Sequence, residues 1–152
     1  FFNKFSTILK FLPVFPLACP DSKFMPIYVS ELTDFMVSTI RDNTTYGQKI
    51  DVTGPNEYTF RQLIDITLKA LKIRRLIIPL NYTLSKLQAV IFQRLPGKLF
   101  TLDNFLSLQT DSCSNEGFKG KLALEDIVPG YLNFSLKQKH IESLRKKSGR
   151  SE

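Results

Sequence analysis

The sequence has no tryptophan, one histidine (His140) and only two cysteines, Cys19 and Cys113, far apart in the chain. With no CxxC pair and a single imidazole, neither a zinc or iron–sulfur site nor a disulfide framework can be assembled. Two separate reduced thiols, as expected inside a cell, are the simplest reading. No apolar run approaches the roughly 20 residues that a membrane-spanning helix needs. The best one, Leu12–Cys19, is interrupted by Pro13 and Pro16. Glycine is scarce too: the seven glycines fall at 47, 54, 97, 117, 120, 130 and 149, never at the spacing of a phosphate-cradling turn. There is no internal repeat and no low-complexity tract. The opening Phe1-Phe2-Asn3-Lys4 has neither an initiating Met nor the pattern of a leader, and reads as an excerpt from a longer polypeptide.

What is present is ordinary for one globular unit: 152 residues, 43% of them hydrophobic and 23% charged. The net charge of +7 is unevenly spread. Six basic residues (Lys137, Lys139, Arg145, Lys146, Lys147, Arg150) against Glu142 and Glu152 give the last eighteen residues +4, leaving +3 for the rest. The high pI is therefore a property of the tail, and a nucleic-acid partner is not expected. Residues 135–152 read as a basic terminal helix in water, with peripheral contact to an anionic membrane surface, docking onto a larger complex, or a free-standing basic module for membrane or RNA as its functional options.

Along the chain, Phe1, Phe2, Phe5, Ile8, Leu9 and Leu12 predict an amphipathic helix over 1–12, followed by an irregular extended stretch at Pro13–Pro20. Residues 26–29 predict a strand and Ser30 a cap for the next helix, whose stripe is Leu32, Phe35, Met36 and Ile40. Asn43–Gly47 closes that helix. Gln48–Thr53 alternates as a half-buried strand does, and Gly54-Pro55-Asn56 turns the chain. Thr59-Phe60-Arg61-Gln62 is a capping box ahead of a stripe at Phe60, Leu63, Ile64, Thr67 and Leu71, with Lys72, Arg74 and Arg75 at its end. Leu76–Pro79 predicts a third strand. A helix over Tyr82–Leu95 follows, with Leu84, Leu87, Ile91 and Leu95 inward and Pro96-Gly97 as its stop. Thr101–Leu108 reads as a short helix capped by Thr101, Asp111–Gly120 as a polar loop, and Leu122–Ile127 as one helical turn. Strands alternating with helices make this an α/β chain, but three short strands are a thin sheet.

Several segments resemble one family in consistent order over residues 1–134. Phe24-Met25-Pro26-Ile27-Tyr28-Val29-Ser30-Glu31-Leu32 resembles the strand–helix junction of extended and atypical short-chain dehydrogenase/reductases. Gly47–Pro55 is similar to their later strand and turn, and Thr59-Phe60-Arg61-Gln62-Leu63 to the helix start behind it. The opening Phe1–Phe5, Ile78-Pro79-Leu80 and Leu99–Asn104 narrow the likeness to the branch of the nucleotide-binding accessory subunit of respiratory complex I and its bacterial relatives. Glu31, where the family usually has Asp, and the polar stretch Asp111–Glu116 depart from the pattern.

The resemblance implies the C-terminal portion of a Rossmann-type extended fold. Strand 48–53 is then the last, edge strand of the cofactor sheet, short of a neighbour. Strands 26–29 and 76–79 pair in parallel in a small helical substrate domain (residues 1–134), and the N-terminal Rossmann half is absent. It implies NAD(P) in the full-length parent and none on this chain alone, since the glycine-rich loop and the Tyr-x-x-x-Lys pair are missing. Tyr82…Lys86 has the spacing but lies far downstream of the family's catalytic position. The chain then supplies pocket walls around a small-molecule substrate, with Asn3, Pro26 and Tyr28 as candidates and no catalytic, cofactor or metal residue. The alternative is a non-catalytic NADPH-binding subunit supporting a respiratory or quinone-synthesis complex. The implied setting is the bacterial cytoplasm or the mitochondrion, near the inner-membrane surface.

Overall fold

The computed structural model describes residues 2–94 and 100–132. The chain is a mixed α/β structure in which helices carry most of the packing and the strands form three separate two-stranded ribbons. Helix α1 (Phe2–Phe11) leads into β1 (Val14–Leu17) and β2 (Lys23–Phe24), then α2 (Val29–Thr39) and a 3₁₀ turn at Asn43–Thr45. Strands β3 (Val52–Thr53) and β4 (Tyr58–Thr59) precede α3 (Phe60–Leu71), β5 (Leu76–Pro79), α4 (Tyr82–Phe92), α5 (Leu102–Ser107) and β6 (Phe118–Lys119). Residues 124–132 are helical (α6), the final element among the described residues. Among the described residues, no helix is long and apolar enough to cross a membrane. The expected helix end at Leu95–Gly97, and the basic segment 135–152, lie outside the described residues.

Helix α3 organises the interior. The Thr59 hydroxyl accepts from the Gln62 N–H at 3.2 Å while the Gln62 amide oxygen accepts from the Thr59 N–H at 2.7 Å. This is the reciprocal capping expected from the residues, a motif worth about 1 kcal/mol. Phe60, Ile64 and Leu68 face one way, onto Leu9, Phe15, Leu17 and Ile77. Leu63 faces the other, onto Tyr58 and the i, i+4, i+8 stripe of α6, Leu124, Val128 and Leu132. Phe5 meets Phe15 and Phe60 edge-on at 6.1 and 5.6 Å, fixing α1 to both elements. Lys72 ends α3 in the left-handed region at φ 56. Arg75 then turns back, its guanidinium donating to the carbonyls of Leu9 (2.7 Å) and Lys10 (3.1 Å). A cation thereby sits on the negative end of α1.

The strand pairing differs from the expectation. Leu76–Pro79 pairs in parallel with Val14–Leu17, inside the proline stretch, and not with residues 26–29. Proline is tolerated because this ribbon has only two strands, and the missing N–H of Pro16 costs nothing at an open edge. Residues 25–28 are extended without a ladder. The Met25 N–H donates to Ser112 O and its carbonyl accepts from Gly54 N–H, so the segment's bonds go to two different loops. Only Lys23–Phe24, just upstream, joins a ribbon, antiparallel to Tyr58–Thr59. Of residues 48–53, only Val52–Thr53 is strand, and it has a neighbour within the chain. That neighbour is Phe118–Lys119, in the stretch expected to be loop.

Two helix readings also change. Tyr28, not Ser30, stands at the N-cap of α2, with no side-chain cap bond. The anchoring is done by Glu31, whose carboxylate accepts from the N–H groups of Lys121 (2.7 Å) and Leu122 (3.3 Å). Phe35 helps by stacking on Phe118 at 4.3 Å. On α4, Leu84, Leu87 and Ile91 point outward, and the small Ser85 and Ala89 are the buried residues. Small side chains allow the helix to lie close against the β1/β5 ribbon, where the Gln88 amide donates to Pro16 O at 3.1 Å.

Candidate functional site

In an open parallel arrangement, ligands bind beyond the carboxyl ends of the strands, where backbone groups and helix starts converge. In this chain that place is a cleft of ≈ 360 Å³ beyond Leu17 and Pro79. Its lining includes Cys19 and Ser22 from the segment after β1, Asn81 and Tyr82 from the start of α4, and Gln109 and Asp111 after α5. Asn81 caps α4, its side-chain oxygen accepting from the Leu84 N–H at 2.9 Å. Tyr82 packs edge-on against the buried Phe105 with ring centroids 5.2 Å apart, which ties α4 to α5 across the cleft.

Cys19 is the unusual residue of the cleft. It holds φ 47, a left-handed conformation that costs a residue with a Cβ about 1–2 kcal/mol. Contacts on both sides hold it there. Its N–H donates to the Ser85 hydroxyl at 3.3 Å, that hydroxyl donates to Leu80 O at 3.4 Å, and the Gln109 amide donates to the thiol sulfur at 3.1 Å. Burial pushes the thiol pKa up, more than the bonds from Gln109 and Ser85 pull it down. A thiol held in its neutral form is a poor nucleophile. At the rim, Asp111 is already used, its carboxylate accepting from the Lys23 N–H at 2.9 Å. The cleft therefore offers hydroxyl, amide and carboxylate groups to a polar molecule, and no activated nucleophile.

Cys113 is raised as well, by burial first and then by the nearby Glu57 and Asp111 charges. We expect both thiols to alkylate more slowly in the native chain than in urea, with Cys19 showing a reactivity inflection above the ordinary thiol range. Time-resolved mass spectrometry with iodoacetamide at stepped pH checks this. An inflection at or below the ordinary range contradicts the geometry.

None of Asn3, Pro26 or Tyr28 lines this cleft. Asn3 is on α1, its amide donating to the Tyr131 hydroxyl on α6 at 2.7 Å. Pro26 and Tyr28, both half-buried, lie in the extended segment before α2, where Pro26 faces Gly54. The structure thus brings Pro26 to the glycine turn of a second motif and ties Asn3 to α6. Tyr82 and Lys86 stand one turn apart on α4, both exposed, and Lys86 does not reach the cleft lining. The cleft residues were not legible beforehand, because the pairing that creates the strand ends runs through Pro13 and Pro16.

A pyrophosphate needs free N–H groups at a helix start behind a glycine turn. Here the starts of α3, α4 and α5 are capped by Thr59, Asn81 and Thr101, each accepting from an N–H of the first turn, whereas the start of α2 at Tyr28 has no side-chain cap and no glycine turn before it. Among the described residues there is also no cluster of three metal-ligating side chains. No family model matches the chain, and no curated protein does.

Proposed function

We propose that this chain is the substrate-facing part of an NAD(P)-binding protein of the extended short-chain dehydrogenase/reductase type, acting with a cofactor-holding Rossmann half that it does not itself contain. One observation carries the reading. Helix α2 is anchored on one side by Glu31 and Phe35, yet presents Val29, Met36, Val37 and Ile40 to solvent on the other, with no buried residue along its length. An ordered helix with an outward apolar face is built to be covered. Three of the resembling segments, at 24–32, 47–55 and 59–63, support the same reading because they are neighbours in space. The turn after Val52–Thr53 bonds to the Met25-Pro26 segment, and Lys23–Phe24 pairs with Tyr58–Thr59, immediately ahead of α3.

In this role the chain's residues shape and dry the pocket while the missing half supplies the cofactor site and the proton-transfer pair. In this reading Pro26 and Tyr28, in the segment ahead of α2, and Asn3, bonded to Tyr131 on α6, are the residues assigned to the pocket walls. A cofactor-bound subunit without turnover is the second reading. The outward stripe of Leu84, Leu87 and Ile91 on α4 favours it, since a further apolar face suits a chain embedded in a larger assembly.

The test is NADPH fluorescence. The 152-residue chain alone is expected to leave the emission unchanged, and the parent polypeptide including the residues encoded ahead of Phe1 to enhance and shift it. A parent that binds no NADPH removes both readings. Oxidation of the bound cofactor by a carbonyl substrate separates the first reading from the second.

A further inference from the structure

The end of α1 carries the most exposed large apolar side chain among the described residues, Phe11, at 82%. The strand pairing places two more beside it. Val14 and Leu76 are register partners in the β1/β5 ribbon, on the face opposite the buried pair Phe15 and Ile77, and are 40% and 61% exposed. Bonds from Leu76 N–H to Pro13 O and from Arg75 to Leu9 O and Lys10 O hold this apolar tip together. Its surroundings are cationic. Lys10 lies one residue before Phe11, and a hollow of ≈ 630 Å³ next to Arg75 is lined by Lys69, Lys72 and Arg74. The single acidic residue of the hollow, Asp65, is paired with Arg61 at 3.3 Å and leaves those cations unbalanced.

We propose that this tip docks on an anionic lipid surface, with Phe11, Val14 and Leu76 entering the headgroup layer and Lys10, Lys72 and Arg74 meeting lipid phosphates. An apolar point flanked by cations matches a membrane interface, which is apolar inside and anionic at its rim. A nucleic acid would use the cations and leave Phe11 in water, and an apolar protein partner would leave the cations unused. The site uses no residue of the basic tail and is independent of the dehydrogenase reading, because it involves neither the cleft nor α2.

The experiment is co-sedimentation of the full chain with phosphatidylcholine vesicles, with and without phosphatidylglycerol. The parent chain should partition onto the anionic vesicles only. Lys72→Gln/Arg74→Gln should weaken this about 30-fold, from roughly 1 kcal/mol for each cation near the surface. Phe11→Ser, with the charge untouched, should weaken it about tenfold through lost apolar burial. All three side chains are exposed, so circular dichroism should be unchanged in both variants. Binding that is equal in the parent and both variants overturns the proposal, since the tail alone then accounts for it. Equal loss on free inorganic phosphate or RNA as competitor, with Phe11→Ser silent, also overturns it in favour of a soluble polyanion.

Discussion

Replacing Gly54 by alanine should destabilise the chain by about 3–5 kcal/mol, among the largest effects of any single methyl addition in this sequence. The reason is backbone against backbone. A Cβ at Gly54 would sit 2.0 Å from the Pro26 carbonyl oxygen and 2.8 Å from its carbon, and neither can rotate away. Relieving the contact means separating the turn after β3 from the segment before α2, which also breaks the 2.9 Å bond from Gly54 N–H to Met25 O. Two other glycines set the scale. Gly130 has open space, so its alanine variant should be neutral or slightly stabilising in a helix. Gly47 has φ +70 and open space, so alanine there should cost only the left-handed penalty of about 1 kcal/mol. Thermal unfolding should place Gly130→Ala highest, Gly47→Ala next and Gly54→Ala lowest, the last about 10 °C below the unsubstituted chain. A Gly54→Ala variant that melts with Gly47→Ala would mean that the two motifs do not meet as described.

Legibility of the fold in the sequence depended on whether a signal was local. The α3 start was readable because a capping box is complete within four residues, and its buried stripe because Phe60, Leu63, Ile64 and Thr67 all serve this chain's own core. The Thr101 cap of α5 was readable for the same reason. Strand β1 was hidden because proline argues against strands in general, whereas only a central strand excludes it. Its alternation was present all along, with Phe15 and Leu17 inward. On α4 the period was right and the face wrong. Hydrophobic spacing reports that a stripe will be covered, not whether by the same chain, and here the tight contact used Ser85 and Ala89. The cleft needed the β1/β5 register, a long-range fact that no window of sequence contains. Asn3, Pro26 and Tyr28 came from resemblance, and the structure gives each a defined neighbourhood without joining them in the cleft.

The contrast between an inward and an outward helix face gives the second large effect. Ile64 is fully buried between α1, the β1/β5 ribbon and α3's own turns, so Ile64→Ala should cost about 3–4 kcal/mol in lost transfer energy and residual cavity. Val37, at the same kind of helical position on α2, is 65% exposed. Val37→Ala should change stability by no more than about 0.5 kcal/mol, because little surface is lost and alanine favours the helix. Urea unfolding of the isolated chain measures both. If the outward face of α2 is a seat for the cofactor half, the order changes once that half is present. Val37→Asp, still nearly silent in the isolated chain, should then lower the melting point of the parent polypeptide and its NADPH affinity together, as a carboxylate buried without a partner must. Equal insensitivity of the parent to Val37→Asp would show that this face stays in water. The outward helix would then need an explanation other than a missing half.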